Sequence, residues 1–226
     1  MIALALDTSA ALAAVGLFDD GELIGEVTWR THQNHSRELF PTVDWLLASR
    51  GIDKASLAAV CVCLGPGSYA GLRVGLSTAK GLAYGLELAL VGVGRLAADA
   101  EPLALENGPP VYAVQAAGRA ELAWAGYRRE EGDLRELIAP ALGRDAVLEA
   151  AIEPGSIACG EIPASLKAAL GAKGVMIAVS PISRISAIGR LSAERLARGE
   201  VDDVDSLVPL YLREPAIGPQ PPVPQA

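Results

Sequence analysis

Two short stretches carry residue types suited to holding an anion. Asp7-Thr8-Ser9 ends an apolar run. It offers a carboxylate able to orient a metal's waters, beside hydroxyls and backbone N–H groups that meet a phosphate. Asp7 equally closes a turn through an Asx bond. The second stretch, Gly65-Pro66-Gly67-Ser68-Tyr69-Ala70-Gly71, is a glycine-rich turn opening onto a helix N-terminus, where N–H groups collect negative charge. The same turn also serves as a plain strand-to-helix connection. Asp7, Thr8, Ser9, Gly65, Gly67 and Ser68 together make the candidate anion pocket.

Other reactive side chains form no constellation. His32 and His35 are the only histidines and stand three apart with no third ligand near in sequence, so no metal site is expected. His35 reads as a helix-start residue and His32 as solvated. Ser68 lacks the nucleophile-elbow context, and no nucleophile, base and orienting group occur together, which argues against a peptidase. Cys61, Cys63 and Cys159 are odd in number, fit no disulfide or zinc spacing, and read as small buried hydrophobes.

The elements that position these residues can be read from hydrophobic period and breakers. Residues 2–6 form a buried strand. Residues 11–18 and 22–30 flank Asp19-Asp20-Gly21, a hairpin signal, so three antiparallel strands open the chain. An apolar stripe of Leu39, Val43, Leu46 and Leu47 predicts a helix that stops at Arg50-Gly51. Residues 57–64 are nearly all apolar, as in a central parallel strand. A helix over 72–86, a strand over 88–91 and a helix over 96–105 follow.

The helix over 72–86 is rich in small residues. Gly71, Gly75, Ala79 and Ala83 recur every four positions, and Gly81 and Gly85 add a second row. Each glycine costs about 1 kcal/mol relative to alanine in a helix, so close approach by another element must offset it. The approaching element is either its own sheet or a second protein. In the second case the helix presents a flat docking face.

Asn107-Gly108-Pro109-Pro110 marks a boundary. Beyond it strands over 111–116, 121–129 and 133–138, a helix over 146–151, a strand over 157–159 and a helix over 166–170 look like a shortened copy of the first half. Arg128-Arg129-Glu130-Glu131 reads as an exposed turn. A last helix over 185–198 carries Ser192-Ala193-Glu194 on its solvent side. The expected units are a first lobe over 1–106 completed by a C-terminal helix at about 183–214, a reduced second lobe over 107–182, and a disordered proline-rich tail over 215–226.

Composition narrows the function classes. The chain has 226 residues, 51% of them hydrophobic and 20% charged, which excludes a largely disordered chain. Its 19 basic and 27 acidic residues give 19 − 27 = −8, and only 4% are aromatic. That balance speaks against gripping a nucleic-acid backbone unaided. The opening residues lack the basic region and long apolar core of a signal peptide, and no run reaches the ~20 apolar residues of a membrane span. A cytoplasmic protein without membrane contact is expected.

The order of three strands, helix, strand, helix, strand, helix is that of the ribonuclease-H-like half of actin-like ATPases. The expected fold is therefore α/β of the actin-like ATPase (ASKHA) type, with two ribonuclease-H-like lobes of mixed sheets flanked by helices. ALDTS at the start, HSRELFP opening the first helix, LGPGSYAGLRVGLSTAKGLA, and PLYLRE near the end resemble the TsaB (YeaZ) family. The resemblance runs over roughly residues 1–214 and is strongest over 1–95. It implies a non-catalytic subunit for threonylcarbamoyladenosine modification of tRNA, paired with a TsaD-like transferase and joined by a TsaE-like ATPase. It places the pairing surface on the helices over about 36–50 and 71–86, with Leu39, Val43, Leu46, Leu72, Gly75, Thr78, Ala79 and Leu82 as the docking residues. Because an uncovered apolar helix face seeks burial, an isologous homodimer is expected when the chain is alone. The acidic charge makes tRNA contact expected only through the complex. No cofactor is expected to be required by this chain, with ATP and Mg expected on the partner subunits.

The second lobe supports a non-catalytic reading, because residues 111–124 contain no aspartate where an actin-like kinase needs a second acidic phosphate loop. The chain also departs from the family there, with Ala116-Ala117-Gly118, and Arg119 displaced, where many TsaB-like sequences carry Asp-Ala-Arg. The pocket at Asp7 and Gly67 would then be a relic. The competing expectation is an actin-like ATPase or small-molecule kinase using Asp7 and the 65–68 loop.

Overall fold

The computed structural model describes residues 1–31, 34–180 and 183–213, and the backbone alone at His35. His32, the His35 side chain and the tail over 215–226, for which solvation, a helix-start role and disorder are expected, lie outside the described residues.

Strands β1 (Ile2–Asp7), β2 (Leu12–Asp19) and β3 (Glu22–Arg30) form the expected antiparallel meander. Asp20 (φ 47°) and Gly21 (φ 83°) make the left-handed turn that matches strand twist. Helix α1 (His35–Ser49) leads to β4 (Leu57–Gly65), α2 (Tyr69–Leu86), β5 (Ala89–Gly94) and α3 (Arg95–Ala100), which a 3-10 turn over Glu101–Leu103 extends. The first sheet has the order β3-β2-β1-β4-β5. β4 lies parallel between β1 and β5, so both its faces are covered and its sequence is almost uniformly apolar.

The second sheet repeats the plan. β6 (Val111–Ala116), β7 (Leu122–Glu130) and β8 (Asp133–Gly143) form a second meander, followed by α4 (Asp145–Ala151), β9 (Ile157–Gly160), α5 (Ala164–Ala172), β10 (Met176–Ile177) and α6 (Ile185–Ala197). Its order, β10-β9-β6-β7-β8, maps strand for strand onto the first. Wear shows at β10, whose two residues no periodicity could reveal.

Four apolar clusters fix the layers. α1 and α2 close one face of the first sheet, where Leu39, Val43, Leu46, Ala79 and Leu82 meet Leu4, Leu6, Val15 and Val60. α6 covers the opposite face through Ile185, Ala187 and Ile188 against Phe18, Cys61 and Cys63. α3 lies between the sheets: Ala98 belongs to the first core, while Leu96 and Ala100 pack on Val111, Ala113 and Cys159 of the second. α4 and α5 cap the second sheet through Leu148, Leu166 and Leu170. No described helix is long and apolar enough to cross a membrane.

Two surface expectations fail on this packing. Ser192 is buried, because α6 is covered by the first sheet. Arg129 is not part of an exposed turn: it is only 15% exposed and pairs with Glu194 at 2.9 Å and Glu101 at 3.5 Å.

Candidate functional site: an interlobe cleft and the outer face of two helices

β1 ends in a closed knot. Ser9 donates to Asp7 Oδ1 through its N–H at 2.9 Å and its hydroxyl at 2.6 Å, the Asx turn expected as one reading. Asp7 Oδ2 faces Arg184 at 3.6 Å. Arg184 Nε donates to Asp99 at 2.6 Å, Asp99 stands 3.8 Å from Arg95, and Arg95 Nη2 donates to Glu161 at 2.9 Å. The result is a chain of alternating charges from one lobe to the other. Burial pushes the Asp99 carboxyl upward, against the pull of Arg184 and Arg95.

The glycine loop packs on this knot. Ser68 N–H donates to Ser9 O at 2.8 Å, and Ser68 Oγ caps α2 by accepting from Gly71 N–H at 3.3 Å. A Cβ at Gly67 would sit 2.3 Å from Ser9 O, so only glycine allows this approach. Thr8 Oγ1 donates to Gly71 O at 2.7 Å.

Between the lobes lies a cleft of about 560 Å³. Ser9, Gly67 and Ser68 line it from the first lobe and Arg95 from the start of α3. Gln115, Ala116, Ala117, Arg119 and Glu161 line it from the second lobe, and Leu210, Tyr211, Leu212 and Arg213 from the C-terminal segment. Of the candidate anion pocket, Asp7, Thr8 and Gly65 do not reach the cleft: they are buried behind it, and the Asp7 oxygens are committed to Ser9 and Arg184. The donor set therefore does not fit a magnesium–nucleotide held by Asp7. Among the described residues no three His, Cys, Asp or Glu side chains gather in a metal-binding group.

The candidate docking residues are corrected more sharply. Leu39, Val43, Leu46, Leu72, Gly75, Ala79 and Leu82 are all buried, and Thr78 is half-buried. Gly75 is the close approach that the small-residue row announced, but the neighbour is Thr8, whose Oγ1 would stand 2.3 Å from an added Cβ. The row Gly71, Gly75, Ala79, Ala83 serves the chain's own sheet.

The second row faces outward. Gly81 and Gly85 are exposed, with nothing within 4 Å of an added Cβ. The exposed aromatics of these two helices are Tyr84 (79%) on α2, in the same helix as these glycines, and Trp45 (62%) and Phe40 (43%) on α1. Sequence reasoning missed these three. The signal was available, since each lies off the apolar stripe of its helix and is too large to be idle there.

A family model described as TsaD: tRNA N6-adenosine threonylcarbamoyltransferase matches residues 24–180. The chain belongs to the TsaD/TsaB family. Within it the chain stands with the TsaB proteins. It is 33% identical over 132 residues to the tRNA threonylcarbamoyladenosine biosynthesis protein TsaB of Escherichia coli (strain K12). That match covers 58% of this chain and 57% of the relative, so the chain spans little more than half the length of that protein. Among solved structures, YeaZ from Pseudomonas aeruginosa superposes with a TM-score of 0.75 at 23% identity, covering 93% of this chain and 99% of that one. A ROK hexokinase from Thermus thermophilus superposes with a TM-score of 0.50 at 11% identity, covering 88% of this chain and all of that one. The fold of this TsaB-family chain is thus the two-lobed actin-like one expected from its element order.

Proposed function

We propose that this TsaB-family chain is a non-catalytic subunit of tRNA threonylcarbamoyladenosine synthesis, docking on a TsaD-like transferase through the outer faces of α1 and α2. The observation that carries this is the exposure of Trp45 (62%) on α1 and of Tyr84 (79%) on α2, where Tyr84 stands in the same helix as the open Gly81 and Gly85. Large aromatic side chains that become buried on docking are what an interface core uses. A TsaE-like ATPase joins the pair, ATP and Mg are held by the partners, and tRNA is reached through the complex in the cytoplasm. A second copy of the chain covers the same face when the transferase is absent, so homodimer and heterodimer exclude each other.

The competing reading, an ATPase or small-molecule kinase using Asp7 and the 65–68 loop, loses support because Asp7 is 2% exposed and bound to Ser9. Peptidase chemistry loses it because Ser68 Oγ is engaged in capping α2.

The test is tRNA modification by a TsaD-like transferase and a TsaE-like ATPase supplied with pre-formed threonylcarbamoyl-adenylate. Over several turnovers modification is expected to require the chain. Equal product with and without it would reject the reading.

A further inference from the structure

The segment over 202–213 has no regular secondary structure, yet it is tied down along its length. Asp202 anchors it: its N–H donates to Leu90 O at 2.8 Å, and its carboxylate accepts from Gly92 N–H at 2.7 Å and from two Arg195 nitrogens at 3.0 Å each. These bonds occupy the open edge of β5. Val204 and Leu207 pack on the first core, Lys80 Nζ donates to Asp205 O at 3.1 Å, and Leu210 N–H donates to Leu64 O at 2.8 Å. The Tyr211 ring then lies 5.1 Å from that of Tyr69, at the start of α2.

At its end the segment crosses to the other lobe. Arg213 Nη1 donates to Ala117 O at 3.3 Å, and Nη2 meets the Glu121 carboxylate. Both partners belong to the β6–β7 turn. That turn is unusual: Gly118 (φ 73°), Arg119 (φ 55°) and Ala120 (φ 57°) all lie in the left-handed region. Two non-glycine residues stay there only where the surroundings hold them. Arg213 grips the turn on both of its sides.

The rest of the interlobe contact is uneven. On the side of α6, Arg129 joins Glu194 and Glu101, and Arg198 joins Asp133 at 2.7 Å. On the cleft side, Arg95–Glu161 ties the lobes at the floor and Arg213 ties them at the mouth. The strap residues 210–213 also form one wall of the cleft, above the buried Gln115, whose side-chain oxygen has no hydrogen-bond partner.

We propose that residues 202–213 are a strap that sets the width of the interlobe cleft, with Arg213 as its releasable latch on the β6–β7 turn. Releasing Arg213 lets the strained turn relax and the cleft mouth widen, while the ion pairs along α6 act as the hinge. The inference goes beyond the docking reading and is tested on the full chain alone, so neither outcome depends on the other.

Two measurements on the wild type, Arg213→Ala and Glu121→Ala decide it. Hydrogen exchange at Ala117 and Glu121, whose amides bond across the turn, should be at least about tenfold faster in both variants, with the β1 and β4 amides unchanged as proof of folding. Spin labels on cysteines placed at the exposed Ala70 and Ala164, which head the equivalent helices α2 and α5, should report a longer and broader distance in both variants than in the wild type. An unchanged distance distribution would overturn the proposal, as would faster exchange confined to residues after Leu210.

Discussion

The two faces of α2 carry the same kind of sequence and do opposite things. On the inner face Gly71, Gly75, Ala79 and Ala83 repeat every four residues and let the helix backbone descend onto Thr8 and β4. On the outer face Gly81 and Gly85 are spaced the same way and touch nothing. Small-residue spacing therefore announces that something comes close, and only burial tells whether it is the chain itself. What separates the faces chemically is their large residues. Leu72, Leu76 and Leu82 accompany the inner row, while Tyr69, Arg73 and Tyr84 accompany the outer one.

The strongest test of that contrast overfills the inner face. Gly75→Leu should destabilise the chain by about 3 kcal/mol, because the new Cβ meets Thr8 in a packed layer. For a chain of this size that is a fall in melting temperature of roughly 6–12 °C. A melting temperature unchanged by Gly75→Leu would mean that the inner row is loose.

Next in size is the knot beneath that face. Asp7→Ala strips Ser9 of its acceptor and Arg184 of one partner, and should cost roughly 2 kcal/mol in denaturant unfolding. Because Asp7 does not line the cleft, the same variant should leave any calorimetric signal with Mg–ATP where it was. A selective loss of nucleotide binding at unchanged stability would revive the ATPase reading.

The outer face should respond the other way. Tyr84→Glu and Trp45→Glu change side chains that are mostly exposed and should shift stability by no more than about 0.5 kcal/mol. Smallest of all should be the reactivity of the native thiols. Burial pushes Cys61 up to about 11 and Cys159 up to about 12, so at pH 8 on the order of one Cys61 in a thousand is thiolate. Iodoacetamide should label them only after denaturant is added; rapid labelling of the folded chain would contradict the buried α6 and α3 packing.

How much of this was legible beforehand follows from what each signal encodes. The Asp19-Asp20-Gly21 hairpin, the apolar run of β4 and the Arg50-Gly51 stop are local, and each stands where the residues place it. The duplication was readable because β6–β9 keep the order of β1–β4. Errors arise where the answer depends on a distant neighbour. A helical stripe such as Leu39, Val43, Leu46 defines a face without naming what covers it, so core residues were assigned to docking. Arg129 looks like a turn charge until Glu101 and Glu194 arrive from elements 28 and 65 residues away. The strap was invisible for the same reason: the residues over 208–213 have no period, and their partners Leu64, Tyr69 and Ala117 are remote in sequence.

The most direct measurement is the affinity of the chain for a TsaD-like transferase, by sedimentation or calorimetry, for the wild type, Tyr84→Glu and Trp45→Glu, each with its melting temperature. The account predicts that both variants bind at least about thirtyfold more weakly, as loss of a central aromatic anchor entails, while melting as the wild type does. Wild-type affinity in both would contradict it and move the docking surface away from the outer face of α1 and α2.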